Sequence, residues 1–225
     1  MSFLTSNLEH LKNQNGAISS VANADFIGKL DLVIEGAEAS VNDLLSFSEF
    51  FDLSIDLLVK KDLKTLAEVS AKNIQLLVLD IDGVMTDGGM YYTEKGDEFK
   101  KFDTRDGVAI RRLSKRAFKV GIISSGYNVK LIQNRADLLG IKHVHTGADA
   151  KIETLKRWSA EMGIAMENIA FIGDDRNDRD AMEAVGISAC PADADNSVKE
   201  IATIILSKKG GSGCIREFVD LYLPA

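Results

Sequence analysis

From Ile74 onward, short apolar runs alternate with amphipathic stretches of about ten to fifteen residues, a rhythm that leaves few architectures open. The runs Gln75–Ile81, Phe118–Ser124, His143–Thr146, Asn168–Gly173, Gly186–Ala189 and Thr203–Leu206 read as strands. Helices are expected at Gly107–Arg116, Asn128–Leu139, Ala150–Met162, Asp178–Ala184, Asn196–Ile201 and Gly213–Tyr222. Strand and helix in alternation predict an α/β fold: a parallel sheet with right-handed crossovers, helices on both faces, and reactive groups at the carboxyl ends of the strands. One insertion breaks the rhythm. Met90-Tyr91-Tyr92 and Glu98–Phe102 flank Glu94-Lys95-Gly96-Asp97, the pattern of a β-hairpin projecting from just after the first strand, and it reads as a flap beside the site.

The first third of the chain is different. Leu44, Leu45, Phe47, Phe50 and Phe51 recur at helical spacing behind Ser40, a helix-capping residue, and Ser54 can cap a second short helix carrying Ile55, Leu57, Leu58 and Val59. Five lysines, no arginine and eleven acids give residues 1–70 a charge of −6 out of the total −7. This shift places a boundary near Ala67–Asn73 and predicts a small all-α domain, 1–70, ahead of a domain at 71–225. Nucleic-acid backbone binding needs a basic face, and these 70 residues supply none. The composition is that of a globular protein, with 45% apolar and 27% charged residues, and no apolar run approaches the roughly 20 residues that cross a bilayer. Met1–Thr5 carries no basic stretch leading into an apolar core, and Cys190 and Cys214 stand alone without a CxxC spacing, so the expected location is a reducing cytoplasm, away from membranes.

The chemistry gathers at strand ends. Leu76–Leu79 runs straight into Asp80-Ile81-Asp82-Gly83-Val84-Met85-Thr86-Asp87-Gly88, and Asn168–Ile172 opens into Gly173-Asp174-Asp175-Arg176-Asn177-Asp178. Acids at the mouth of a parallel sheet are costly unless a metal or hydrogen-bond donors compensate them. Helix capping accounts for Asp178 but poorly for four acids at two strand ends, so Asp80, Asp82, Asp174, Asp175 and Asp178 are expected to serve a Mg²⁺ ion. Ser124 and Ser125 precede Gly126 at the end of another strand, where a hydroxyl and backbone N–H groups can hold an anion, and Lys151 at a helix start can neutralise a phosphate.

Together, Asp80-x-Asp82, the strand-end serine, Lys151, and Gly173-Asp174-Asp175 with Asp178 resemble the four motifs of the haloacid dehalogenase superfamily. Within it, residues 74–223 resemble the capless, tetrameric 3-deoxy-D-manno-octulosonate 8-phosphate phosphatases and their relatives acting on phosphorylated nonulosonic acids. Supporting stretches are Thr104-Arg105-Asp106-Gly107, Pro191–Ala194 and Gly210–Glu217. The resemblance implies a Rossmann-like fold and a hydrolase in which Asp80 attacks phosphorus and Asp82 serves as acid and base. It further implies a Mg²⁺ ion held by the Asp80 carboxylate, the Asp82 carbonyl and Asp174, oriented by Asp175 and Asp178. Ser124 and Lys151 would steady the phosphoryl oxygens, and Ser125, Gly126, Arg105 and Arg216 are expected around the substrate. Active sites would lie at the subunit interfaces of a homotetramer acting on a small phosphorylated sugar acid. Gly210–Gly213 reads either as a surface turn or as a tail reaching a neighbouring site. Where the octulosonate enzymes usually carry Thr-Gly-Arg, this chain has Ser124-Ser125-Gly126-Tyr127, which leaves open which serine holds phosphate.

The first third has a resemblance of its own. Asn7–Lys12 and Val41–Leu63 are similar to the first and last helices of a repressor-type helix-turn-helix domain, while Ala17–Ser40 is shortened and acidic at Asp25, Asp31, Glu35 and Glu38. That implies a degenerate module used for packing or oligomerisation. The competing reading is a DNA-binding regulator with a ligand-sensing second domain, and the intact acids weigh against it, because a sensor has no need of Asp82.

Overall fold

The computed structural model describes residues 2–15 and 18–223. Gly16 and Ala17, where the shortened helix-turn-helix stretch was expected to begin, lie outside the described residues, as does Met1. The chain forms two compact units, one ending at Glu68 and the other beginning at Val69.

The first unit is helical: α1 (Phe3–Gln14), α2 (Ile18–Val21), α3 (Ala24–Ile34), α4 (Val41–Phe51), α5 (Ile55–Lys60) and the start of α6 (Leu63–Ala71). Leu8, Leu30, Val33, Phe47 and Leu58 form its core. The Ser40 hydroxyl accepts from the Asp43 N–H while the Asp43 carboxylate accepts from the Ser40 N–H, a reciprocal cap that starts α4. Ser54 caps α5 in the same sense.

In the second unit, β1 (Leu76–Leu79), β4 (Lys119–Ser124), β5 (His143–Thr146), β6 (Ile169–Ile172), β7 (Ile187–Cys190) and β8 (Ile204–Ile205) make one parallel sheet, with β2 (Tyr91–Tyr92) and β3 (Glu98–Phe99) paired separately as an antiparallel hairpin. The order is β5-β4-β1-β6-β7-β8. Because β1, β4 and β5 run outward one way and β6, β7 and β8 the other, the strand order reverses between β1 and β6, the place where sheets of this kind open a crevice. Leu77 and Leu79 of β1 join Ala170 and Ile172 of β6 in the core on one face. Leu76 and Val78 join Ile169 and Phe171 on the other. Helices α7 (Thr104–Lys115), α8 (Val129–Leu139) and α12 (Cys214–Tyr222) supply apolar side chains to the first core, and α9 (Lys151–Met162), α10 (Arg179–Ala184) and α11 (Asn196–Lys199) to the second. Burial on both faces explains why these strands read as unbroken apolar runs.

The elements differ from the sequence expectation mainly at their ends. Helix α7 starts at Thr104 and not Gly107, because the Asp103 carboxylate accepts from the Arg105 and Asp106 N–H groups and caps three residues earlier. Strand β1 stops at Leu79, because the chain turns through Asp82 and Gly83, the latter at φ +84°.

Candidate active site

The register Leu79↔Ile172 sets Asp80 and Gly173 side by side at the sheet's carboxyl edge, and the Asp80 N–H donates to the Ile172 carbonyl at 3.0 Å. From there the two acidic loops converge. Carboxylate oxygens of Asp80, Asp174 and Asp178 lie within 4.8 Å of one another. Lys151 enters from the start of α9 and bridges Asp80 Oδ1 at 2.8 Å and Asp178 Oδ1 at 2.6 Å, with all three side chains buried. Asp178 Oδ2 accepts from the Asp174 and Asp175 N–H groups at 2.9 and 3.2 Å, so both of its oxygens are committed to shaping the loop. Gly83 makes the convergence possible: a Cβ there would sit 2.0 Å from Asp174 Oδ2.

The electrostatics describe a cluster short of positive charge. Burial, then repulsion from Asp178, pushes Asp80 up to about 7 against the pull of Lys151. Burial, then Asp80 and Asp178, pushes Asp174 up to about 8. Burial pulls the Lys151 ammonium down, but the two carboxylates outweigh it and the net shift is upward. Asp174 Oδ1 is buried with no hydrogen-bond partner. An orphaned carboxylate oxygen beside two further carboxylates is a donor set that fits a hard divalent cation such as Mg²⁺.

Above the cluster lies a cavity of about 400 Å³, lined by Asp80, Asp82, Asp174 and Asp175, by Ser125, Gly126 and Tyr127, by Asn177, and by Met90, Tyr92, Glu98 and Lys100 from the hairpin. The hairpin is therefore the flap that the sequence pattern suggested. Ser125 faces the cavity, its hydroxyl accepting from Asn177 Nδ2 at 3.3 Å. Ser124 is buried beneath it and does not line the cavity; its hydroxyl oxygen accepts from the Gly126 N–H at 3.1 Å. The Asp82 and Asp175 carboxylates stand outside the three-acid group. Asp175 accepts from the Arg176 N–H at 2.8 Å, and Asp82 pairs with Lys100.

Neither Arg105 nor Arg216 reaches the cavity of its own chain. The Arg105 guanidinium forks onto Asp103 and donates to the Ser212 carbonyl, and Arg216 pairs with Asp220 one turn further along α12. The glycine-rich stretch is not an exposed turn: Gly210, Gly211 and Gly213 are buried. Gly210 and Gly211 pack against the loop that follows β1, where a Cβ on Gly210 would fall 1.8 Å from the Gly83 carbonyl oxygen and the Gly211 N–H donates to the Val84 carbonyl. Asp106 completes this support from α7, accepting from the Gly213 and Arg216 N–H groups, and burial raises its pKa to about 6. Both thiols are buried, and burial pushes their pKa values up, Cys190 to about 11, which keeps them protonated.

Sequence reasoning missed Lys100, whose side chain is only 3% exposed. The signal was present as Glu98-x-Lys100, two charged residues two apart in an extended segment and hence on one face.

Residues 143–217 match the family model of haloacid dehalogenase-like hydrolases. The 3-deoxy-D-manno-octulosonate 8-phosphate phosphatase KdsC of Escherichia coli K12 is 40% identical over 155 residues, 69% of this chain and 82% of the relative. The crystal structure of the Yersinia pestis phosphatase of that name superposes with a TM-score of 0.67 at 38% identity, covering 71% of this chain and 84% of the other. A second similar structure, from Moraxella catarrhalis, is a 3-deoxy-D-manno-octulosonate 8-phosphate phosphatase in complex with magnesium ion, phosphate ion and a KDO molecule; its TM-score is 0.67 at 29% identity, covering 71% of this chain and 90% of the other.

Proposed function

The chain belongs to the haloacid dehalogenase-like hydrolases of the 3-deoxy-D-manno-octulosonate 8-phosphate phosphatase family and is a phosphatase, and we propose that it is a Mg²⁺-dependent hydrolase of a phosphorylated 3-deoxy sugar acid, of the octulosonate 8-phosphate or nonulosonate 9-phosphate type. The observation that carries this reading is the buried Asp80–Lys151–Asp178 network with Asp174 beside it, opening on a cavity of about 400 Å³.

In this reading an Asp80 carboxylate oxygen attacks phosphorus; the new O–P bond forms as the ester P–O bond breaks, and Asp82 gives its proton to the departing sugar oxygen. Asp82 then takes a proton from water as that water attacks phosphorus, the Asp80–phosphorus bond breaks, and inorganic phosphate leaves with Asp80 restored. Lys151 holds Asp80 in place throughout and counters the charge of the phosphoryl group. Ser125 is the hydroxyl donor on the cavity wall, while Ser124 lies beneath it with its oxygen accepting from the Gly126 N–H. Asp80, Asp174 and the Asp82 carbonyl, with Asp175 and Asp178 behind them, would hold a Mg²⁺ ion, which would supply positive charge for a phosphate dianion among carboxylates. The sugar-acid class comes from the relatives named above, including one whose structure holds magnesium, phosphate and KDO.

Arg105 and Arg216 serve their own chain's packing here, and a homotetramer in which a neighbour completes the site remains part of the proposal. Among the described residues of the helical unit, Lys12, Lys29 and Lys60 pair with Asp31, Asp25 and Asp56. The unit is read as a packing or oligomerisation module. No helix of the described residues is long and apolar enough to cross a membrane, and a cytoplasmic setting is proposed from the substrate class and the lone thiols.

The test is phosphate release from octulosonate 8-phosphate, a nonulosonate 9-phosphate and neutral sugar phosphates, with Mg²⁺ and after EDTA. The expected result is turnover of a sugar acid phosphate that stops with EDTA and returns with Mg²⁺. Hydrolysis unaffected by EDTA, or confined to neutral sugar phosphates, overturns the reading.

A further inference from the structure

Lys100 stands at the base of the flap, its Nζ 2.5 Å from Asp82 Oδ1 and 2.9 Å from Glu98 Oε1. Among the residues lining the cavity it is the only cation. Its position is fixed from the far side. Phe102, two residues on, bridges to Thr86, and Thr86 closes the loop that carries Asp82 by donating from its N–H and hydroxyl to the Ile81 carbonyl at 3.0 and 3.2 Å. The Arg135 guanidinium covers the Phe102 ring at 4.6 Å. The flap stalk and the acid–base loop are thus tied together two residues from Lys100. Asp82, in contrast, is 40% exposed at its side chain, and among the described residues its carboxylate has Lys100 as its one hydrogen-bond partner.

From this we infer that Lys100, braced by Glu98, is a positioning residue for Asp82: it fixes the orientation of that carboxylate on the cavity wall. The flap thereby takes part in the chemistry as well as covering the cavity. Lys100 keeps its own protons; the proton that reaches the leaving oxygen is the one on Asp82, transferred as the P–O bond breaks. The burial of the lysine stem fits this role, because a long side chain fixed at both ends transmits position where a solvated one would not.

The inference rests on the acid–base role of Asp82 proposed above and not on the identity of the sugar acid, so the probes are generic. An alkyl phosphate, β-glycerol phosphate, leaves as an alkoxide and needs a proton; an aryl phosphate, p-nitrophenyl phosphate, leaves as a stable phenolate and needs it far less. With the full-length Mg²⁺-loaded enzyme, Lys100→Met is expected to lose about 10²-fold in kcat on the alkyl phosphate and less than about tenfold on the aryl phosphate, the low end of what a positioned acid contributes. KM is expected to stay within about threefold on both. Lys100→Arg, which keeps the cation, recovers part of the loss, and Glu98→Gln reproduces its direction at smaller size without removing Lys100. Equal losses on the two substrates, or a rise confined to KM, overturn the inference and make Lys100 a structural or phosphate-binding residue. Asp82→Asn separates the two levels. If that variant shows no dependence on the leaving group, the reading of Asp82 fails; if it does and Lys100→Met does not, the inference alone fails.

Discussion

Asp80, Asp178 and Lys151, at the floor of the cavity, are each no more than 5% exposed, while Tyr127 and Met90 at its rim are 91% and 66% exposed. The floor hangs on the two central strands, and each of its charges answers another: Lys151 to two carboxylates, Asp178 to the lysine and to two backbone N–H groups. A single change there unbalances a buried cluster. The rim comes from a hairpin of two-residue strands and from the start of the β4–α8 connection, and its apolar groups are largely exposed. On the proposed function, the reaction belongs to the floor and the choice of substrate to the rim. Lys100 is the exception, a rim residue tied into the acid–base loop.

The sharpest way to break this division is to remove the nucleophile and leave everything around it. Asp80→Asn keeps the shape of the side chain and takes one negative charge out of a crowded group. Turnover is expected to fall by roughly 10⁴-fold or more, the scale of losing one member of a set that acts as a unit. The metal-free melting temperature is expected to hold or rise, because the repulsion that lifts Asp80 and Asp174 is relieved. Phosphate release and a thermal melt on the same sample check both halves. Turnover near the wild-type rate removes Asp80 as nucleophile.

The two sides of the cavity also differ in how far sequence reveals them. Asp80 and Asp174 were legible because each ends an apolar run long enough to be a buried strand, and the chemistry of a sheet edge follows from that. Lys100 was not, since strands of two residues leave no periodicity and nothing along the chain joins residue 100 to residue 82. Arg105 and Arg216 were drawn toward the substrate by the motifs they belong to; in space each has a nearer carboxylate, on Asp103 and Asp220. Glycine carried more meaning than its local turn suggested. Gly83 and Gly210 are required by what comes close to them from distant parts of the chain, and only the packed structure displays that approach.

A smaller effect tests the charge imbalance of the floor without mutation. The folded chain holds protons on Asp80 and Asp174 up to about pH 7 and 8, whereas unfolded aspartates release theirs near 4. The native state therefore binds more protons than the unfolded state between these values, and metal-free stability falls as pH rises. The cleanest window is pH 7 to about 8.5. His143, lowered by burial from 6.5, acts below it, and the carboxylates of lowered pKa, such as Asp103, act below 3.8. Across this window the metal-free melting temperature is expected to drop by about 3 °C or more, and saturating Mg²⁺ to reverse the drop. A flat metal-free profile in Tris-free buffers of constant ionic strength contradicts the description of the floor as a cluster short of positive charge.

The smallest expected effect on activity comes from the helical unit, which contains a buried polar group of the opposite kind. Asn7 is 1% exposed, like the floor residues, but its partners are all backbone: Nδ2 donates to the Leu58 and Lys61 carbonyls at 2.9 and 2.5 Å, and Oδ1 accepts from the Leu63 N–H at 2.9 Å. One side chain thus joins α1 to the end of α5 and the start of α6. Asn7→Ala leaves three backbone groups without it, the Leu58 carbonyl buried and the other two half-buried, and is expected to destabilise the helical unit by about 2 kcal/mol, with kcat unchanged. Trp158 is the single tryptophan and lies in the second unit, so its fluorescence follows that unit while far-ultraviolet circular dichroism follows both. In a urea titration the dichroism midpoint is expected to shift to lower urea and the fluorescence midpoint to stay. A fall in kcat, or equal shifts of both probes, means that the buried polar group of the helical unit is coupled to the floor and that burial does not separate holding a fold from performing a reaction.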